Sequence, residues 1–296
     1  MRKFSVIENF SFIARLLNKY VPKFLDFSDH RLLKSELFKL QKEVTYLQNR
    51  IIHKEEIERW YYEIATLIRP ISFRDLKMVR LGSKFDGGYF LPIVQNLPTD
   101  WLTIGLGYNV EFENALIKQG CTVNTFDHTI KSRPRHLHKS VNWYKKGWGI
   151  ESDRTKKLSD LFDLTGFSTD WCLKFDIENS EWGVLHEITS LVYQPKIILC
   201  EIHELFWELD NQINSHKVKL LKELLGNYYV VHVNGNNFSP EITTSNVTIN
   251  SAIELTLINK NFAALSLNST SLTPDFYQTN CLNNSNGKPS KFRIQN

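Results

Sequence analysis

The stretch Trp101-Leu-Thr-Ile-Gly-Leu-Gly-Tyr-Asn109, followed by Glu111–Lys118 and then by Thr122-Val-Asn-Thr-Phe-Asp127, decides how this chain is read. A β-branched and aromatic run leads into a glycine turn. An amphipathic helical segment follows, and a second apolar run ends on an acid. That order describes a strand, a helix and a parallel strand, the repeating unit of a sheet covered by helices. Glycines at 105 and 107 allow the backbone to turn sharply and to approach a ligand closely. An acid about twenty residues on, at the end of the next strand, can accept the two ribose hydroxyls of a nucleotide-like cofactor.

Working outward, five further runs fit strands: Val141–Tyr144, Trp171–Phe175, Lys196–Cys200, Tyr228–Val233 and Ala252–Ile258. The seven together predict an α/β fold with a mostly parallel sheet and helices on both faces. A stretch rich in Gly, Asn, Ser and Thr, with no helical pattern, separates the last two runs, which predicts an antiparallel pair there. Ligands of such sheets bind beyond the C-terminal ends of the strands.

Three polar clusters fall at that edge. Asp176, Glu178 and Glu181 follow the fourth run; Glu201 and His203 follow the fifth, on one face by period two; His232 to Asn237 close the sixth. Acids and imidazoles converging at strand ends can move a proton or hold a cation. Asp176, Glu178, His203 and His232 are the catalytic candidates, and Asp176, Glu201, His203 and His232 the candidate ligands of a divalent cation. Oxygen donors favour Mg²⁺ or Ca²⁺, whereas two imidazoles favour Mn²⁺ or Zn²⁺.

Upstream, Leu33, Leu37, Leu40, Val44, Leu47 and Ile51 alternate steps of four and three, a short heptad seam. It predicts self-association, a dimer favoured, or else a helix lying on the catalytic domain. A second helical stretch ends before Arg69-Pro70, where proline disfavours continuation. The expected organisation is a helical, coiled-coil appendage over residues 1–69, a main domain over 70–265 and an irregular tail over 266–296.

The chain has 296 residues, 42% hydrophobic, and a net charge of +4 without a dense Lys/Arg block. Such a surface does not suit nucleic acid. Four widely spaced cysteines offer neither a metal spacing nor a disulfide framework, which fits a cytoplasmic setting. No stretch approaches the roughly 20 apolar residues of a membrane span. Residues 4–27, apolar and basic, suit packing on the chain itself or a peripheral contact at the inner face of a membrane.

Arg80-Leu-Gly-Ser-Lys-Phe-Asp86-Gly87-Gly88-Tyr89, the Gly105 turn, Leu173-Lys-Phe-Asp-Ile-Glu-Asn-Ser-Glu181, Glu201-Ile-His203 and His232-Val-Asn-Gly-Asn-Asn237 together resemble the FkbM family of methyltransferases. The resemblance covers roughly residues 76–258. It implies a Rossmann-like class I methyltransferase fold, S-adenosyl-L-methionine as donor, and O-methylation of a sugar hydroxyl in a glycan, polysaccharide or glycosylated metabolite. By the same resemblance Asp86, Gly87, Gly88 and Tyr89 would line the cofactor site with the turn residues Gly105, Leu106, Gly107, Tyr108 and Asn109; Asp127 and His128, at the end of the second run, are the further cofactor candidates. Asp176, Glu178 and Glu181 match the family's acidic motif. Asn179 stands where the family usually has glycine; asparagine is among the residues that tolerate a left-handed backbone. The alternatives are a methyltransferase-like scaffold without catalysis and a nicotinamide-dependent oxidoreductase. Val110, where a dinucleotide site wants its third glycine, disfavours the second.

Overall fold

A computed structural model of the chain describes residues 54–73, 76–94, 96–150, 152–203, 205, 211–266, 272–273 and 293–294. The chain divides into two compact units, residues 1–60 and 61–296. The heptad seam of residues 33–51 and the apolar segment of residues 4–27 lie outside the described residues. No helix among the described residues is long and apolar enough to cross a membrane.

Helix α1 (Lys54–Leu67) stops two residues short of Arg69-Pro70. A hairpin follows, β1 (Lys77–Gly82) with β2 (Gly88–Ile93). Seven strands then build one mixed sheet: β3 (Asp100–Ile104), β4 (Thr122–Phe126), β5 (Asn142–Tyr144), β6 (Trp171–Phe175), β7 (Ile197–Ile202), β8 (Tyr228–Gly235) and β9 (Ile253–Asn259). All seven expected runs are in it. Its order is β8-β9-β7-β6-β3-β4-β5, parallel except for β9, which runs antiparallel to both β7 and β8. The last two strands do form the expected antiparallel pair, but the final strand slips in beside β7 and leaves β8 at the edge.

The Gly-, Asn-, Ser- and Thr-rich loop between β8 and β9 carries short strands of its own. Glu241–Thr243 pairs with Val247–Asn250, because Val247 and Ile249 alternate with polar neighbours and are buried. Within residues 266–296, Leu272–Thr273 pairs with Ser72–Phe73 and Arg293–Ile294 with Val247–Thr248.

From β3 the chain steps to β4 through α2 (Glu111–Lys118), and from β6 it steps the other way to β7 through α4 (Glu181–Ser190). Right-handed crossovers in opposite directions put the two helices on opposite faces. In keeping with this, α4 packs beside α3 (Leu158–Thr165) and α5 (Asn211–Asn227), whereas α2 packs on the β1–β2 hairpin and β4. Trp101 of β3, buried completely, meets Phe112 of α2 edge to face at 5.8 Å, and Tyr89 of the hairpin meets the same ring at 5.2 Å. Every residue of β6 is buried, as a central strand covered on both sides requires. The reversal of strand order lies between β3 and β6, so a crevice opens above their ends.

Candidate active site

The turn after β3 is shaped by its neighbours. Gly105 has φ +80, and a Cβ there would lie 1.7 Å from the Asp176 carbonyl oxygen, so the ends of β3 and β6 meet only because residue 105 has no side chain. Gly107, at φ +59, faces open space. Asp127 holds this turn from the end of β4. Its Oδ2 accepts the Leu106 and Gly107 N–H groups at 3.0 and 2.8 Å, and its Oδ1 accepts the Thr129 N–H and hydroxyl, both at 2.7 Å. Burial would raise its pKa, but the Thr129 hydroxyl and the N–H groups of Gly107, Thr129 and Ile130 outweigh burial and lower it. An acid assigned from the sequence to a ribose thus spends both oxygens on the protein itself.

A cavity of about 410 Å³ opens over the turn. Asp86, Gly87 and Tyr89 border it from the hairpin, Gly105 to Asn109 from the turn, Asp127 and His128 from β4, and Asp176 and Glu178 from β6. Gly88 is not part of this lining: it pairs with Gly82 in the hairpin, where a Cβ would strike the Ser83 carbonyl. Gly87, at φ +80, leaves room for Asn109, whose Nδ2 donates to the Asp86 carbonyl at 2.7 Å. Tyr108 stands at the rim, 78% exposed.

Trp148, Lys174 and Glu113 also line the cavity, and none was legible as a site residue. Lys174 occupies a strand position that alternation gives to the core; its Nζ donates to the Gly105 carbonyl at 2.8 Å and lies over the Tyr89 ring. Trp148 is held by its indole N–H, which donates to Glu187 at 3.0 Å. The Tyr89 hydroxyl donates to Asp176 Oδ2 at 3.2 Å, and burial, then the Asp176 charge, pushes that phenol's pKa well up. Burial and the Asp176 carboxylate also raise Asp86.

Beyond Asp176 the backbone turns left-handed at Glu178 (φ +49) and Asn179 (φ +71). The asparagine in place of glycine is thus accommodated in the conformation it tolerates. Glu181, first residue of α4, is completely buried and receives the His203 Nδ1–H at 2.8 Å. This leaves His203 Nε2 facing Glu178 Oε2 at 3.6 Å and Glu201 Oε1 at 3.7 Å. Burial alone would lower the His203 pKa; the Glu181 hydrogen bond and the charges of Glu201, Glu181 and Asp176 prevail and raise it to about 9.

Glu201 is buried opposite Glu254 of β9, and the side-chain amides of Asn236 and Asn234 donate to Glu201 and Glu254 respectively. Burial, then the nearby Asp176 and Glu254 charges, pushes the Glu201 pKa well up. The Glu254 partner was not visible in the sequence, because it lies within a run read only as a strand.

Of the proposed cation ligands, Asp176 and His203 come together and Glu178 joins them, their donor atoms within 4.8 Å of one another. Glu201 borders this group. His232 does not enter it, either as a ligand or as a catalytic group. It sits three residues before the end of β8, fully buried, with its ring 4.5 Å from Phe90 of the hairpin. Burial first, and Arg80 second, lower its pKa to about 3.

Residues 89–251, more than half of the chain, match the family model of the methyltransferase FkbM domain. A human protein described as "Probable methyltransferase-like protein 24" is 28% identical over 151 residues, 44% of this chain and 41% of that protein. The chain thus aligns with less than half of that relative's length. Among solved structures, the Methanococcus jannaschii fibrillarin pre-rRNA processing protein matches at a TM-score of 0.32 with 8% identity, over 63% of this chain and 84% of its own. The matched span runs from Tyr89 through the glycine turn and the acidic loop to His203 and Asn236, so the chain belongs to the FkbM methyltransferase domain family.

Proposed function

We propose that the chain is an S-adenosylmethionine-dependent O-methyltransferase whose acceptor is a sugar hydroxyl. One observation supports this above the others: a single cavity joins the open Gly107 turn to the carboxylates of Asp176 and Glu178. Its volume falls in the range of cofactor sites. The donor, when bound, supplies a methyl group on a sulfonium cation, and the acids along the cavity suit a ligand of that charge. Gly107 keeps the floor clear for an adenosyl group, with Asp86, Gly87 and Asn109 forming the wall beside it. Tyr89 holds Asp176 from behind at the end where acceptor oxygen and methyl carbon must be aligned. A sugar hydroxyl is a weak acid, so its proton must leave toward this acidic end, and Asp176 is the residue on which that step depends.

A thermal-shift comparison tests the donor. S-adenosylhomocysteine should raise the melting temperature and NAD should not; stabilisation by NAD alone would replace the reading by an oxidoreductase. D176N should retain its fold and lose methyl transfer to a glycan acceptor, and near-normal turnover by that variant would move the chemistry elsewhere. For partners, we also propose a homodimer formed through residues 33–51, on the strength of the heptad spacing alone.

A further inference from the structure

Four carboxylates, of Asp176, Glu178, Glu181 and Glu201, converge on the one imidazole of His203. Glu181 and Glu201 are buried, and Glu181 Oε2 has no hydrogen-bond partner among the described residues. The ion pairs of Glu178, Glu181 and Glu201 run to His203, and none of the four acids pairs with a lysine or arginine among the described residues. Lys174, the nearby ammonium, is directed at the Gly105 carbonyl. Carboxylates buried as Glu181 and Glu201 are need a compensating cation nearby, and His203 is the one basic group paired with them among the described residues.

The orientation of the ring adds an independent point. Glu181 takes the Nδ1–H, so the Nε2 atom is turned toward the acids, the carboxylate–histidine arrangement that presents an imidazole nitrogen to a metal. Nε2 stands 3.6 Å from Glu178 Oε2 and 3.7 Å from Glu201 Oε1, too far for a hydrogen bond. Two donors bound to one ion at about 2.1 to 2.2 Å lie about 3.0 Å apart in an octahedral arrangement and about 3.4 Å apart in a tetrahedral one. The Nε2–Glu178 separation of 3.6 Å is within a few tenths of an ångström of that spacing, so a shared ion requires only a small closure.

We propose that Asp176, Glu178 and His203 bind a divalent cation of the Mn²⁺ class. Two carboxylate oxygens with one imidazole nitrogen suit an ion intermediate between Mg²⁺, which prefers oxygen alone, and Zn²⁺, which prefers nitrogen and sulfur. Glu178 is 82% exposed, so part of the coordination sphere faces solvent and is open to a hydroxyl ligand. A cation held there lowers the pKa of that hydroxyl. The site does not depend on the identity of the methyl donor.

The test is a Mn²⁺ titration of the full-length chain after EDTA treatment, followed by electron paramagnetic resonance. Wild-type protein should remove one equivalent of free Mn²⁺ signal, and the bound ion should show ¹⁴N modulation from the imidazole. E178Q, an exposed substitution that leaves the core untouched, should weaken binding at least tenfold. H203Q should abolish the ¹⁴N signature. Absence of Mn²⁺ uptake by the wild type, equal affinity in E178Q, or bound Mn²⁺ without nitrogen modulation would each overturn the assignment. S-adenosylhomocysteine is titrated separately into wild type in EDTA: binding there without any Mn²⁺ response defeats the cation site alone, and the reverse defeats the donor reading alone.

Discussion

His232 is a buried imidazole whose pKa falls to about 3, through burial and the charge of Arg80. The unfolded chain takes up a proton at this group below its ordinary value near 6.5, whereas the folded chain does not until about pH 3. Stability contributed by the neutral ring is therefore complete above pH 6.5 and declines as pH falls through that window, by at most about 1.4 kcal/mol per unit. His232→Phe should flatten that part of the profile, as read by urea unfolding between pH 7 and 4. An unchanged slope would show that the ring is protonated in the folded state. Asp127 makes the opposite contribution: its pKa is lowered, so its stabilisation is present above the ordinary carboxylate value of 3.8 and lost as pH falls below it. Asp127→Ala removes the acceptor for Leu106, Gly107 and Thr129 together, and should cost on the order of 3 kcal/mol in urea unfolding. Asp127→Asn keeps one oxygen and should cost less. A carboxylate that served only a bound ribose would leave the ligand-free stability of both variants unchanged.

The turn between β3 and α2 separates two uses of glycine. Gly105→Ala places a methyl group into the Asp176 carbonyl as well as demanding a left-handed backbone, so it should destabilise by roughly 2 to 4 kcal/mol. Gly107→Ala meets nothing within 4 Å and carries only the conformational penalty, about 1 to 2 kcal/mol. Its Cβ enters the cavity instead, so calorimetry should show S-adenosylhomocysteine binding lost in a protein that still folds. If Gly107→Ala binds normally, the adenosyl group does not lie over this turn. The loop after β6 is built in a related way: Glu178 and Asn179 both adopt positive φ, which aims Glu178 back at His203 while Glu181 enters α4.

For the assembled chain, the heptad spacing of residues 33–51, which lie outside the described residues, predicts self-association. Replacing Leu40 and Leu47 by glutamate should convert a dimer into a monomer by light scattering, with the main domain's melting temperature unchanged. A wild-type monomer would dismiss the seam. Within the main domain, all seven sheet strands, the glycine turn and the acids at the strand ends were legible, because each depends on local features: β-branched runs, glycine at a turn, a charge at an apolar run's end. Convergence was not legible. Glu181 reads as a helix N-terminal acid, yet the packing of α4 buries it against a histidine 22 residues away. Glu254 becomes the neighbour of Glu201 only because β9 inserts beside β7. His232 reads like His203 in the sequence, since both follow apolar runs, but β8 continues three residues beyond it and leaves it under Phe90 instead of at the edge. Local chemistry determined which strands and turns form; strand order, register and depth, which no short-range pattern encodes, decided which side chains share a site.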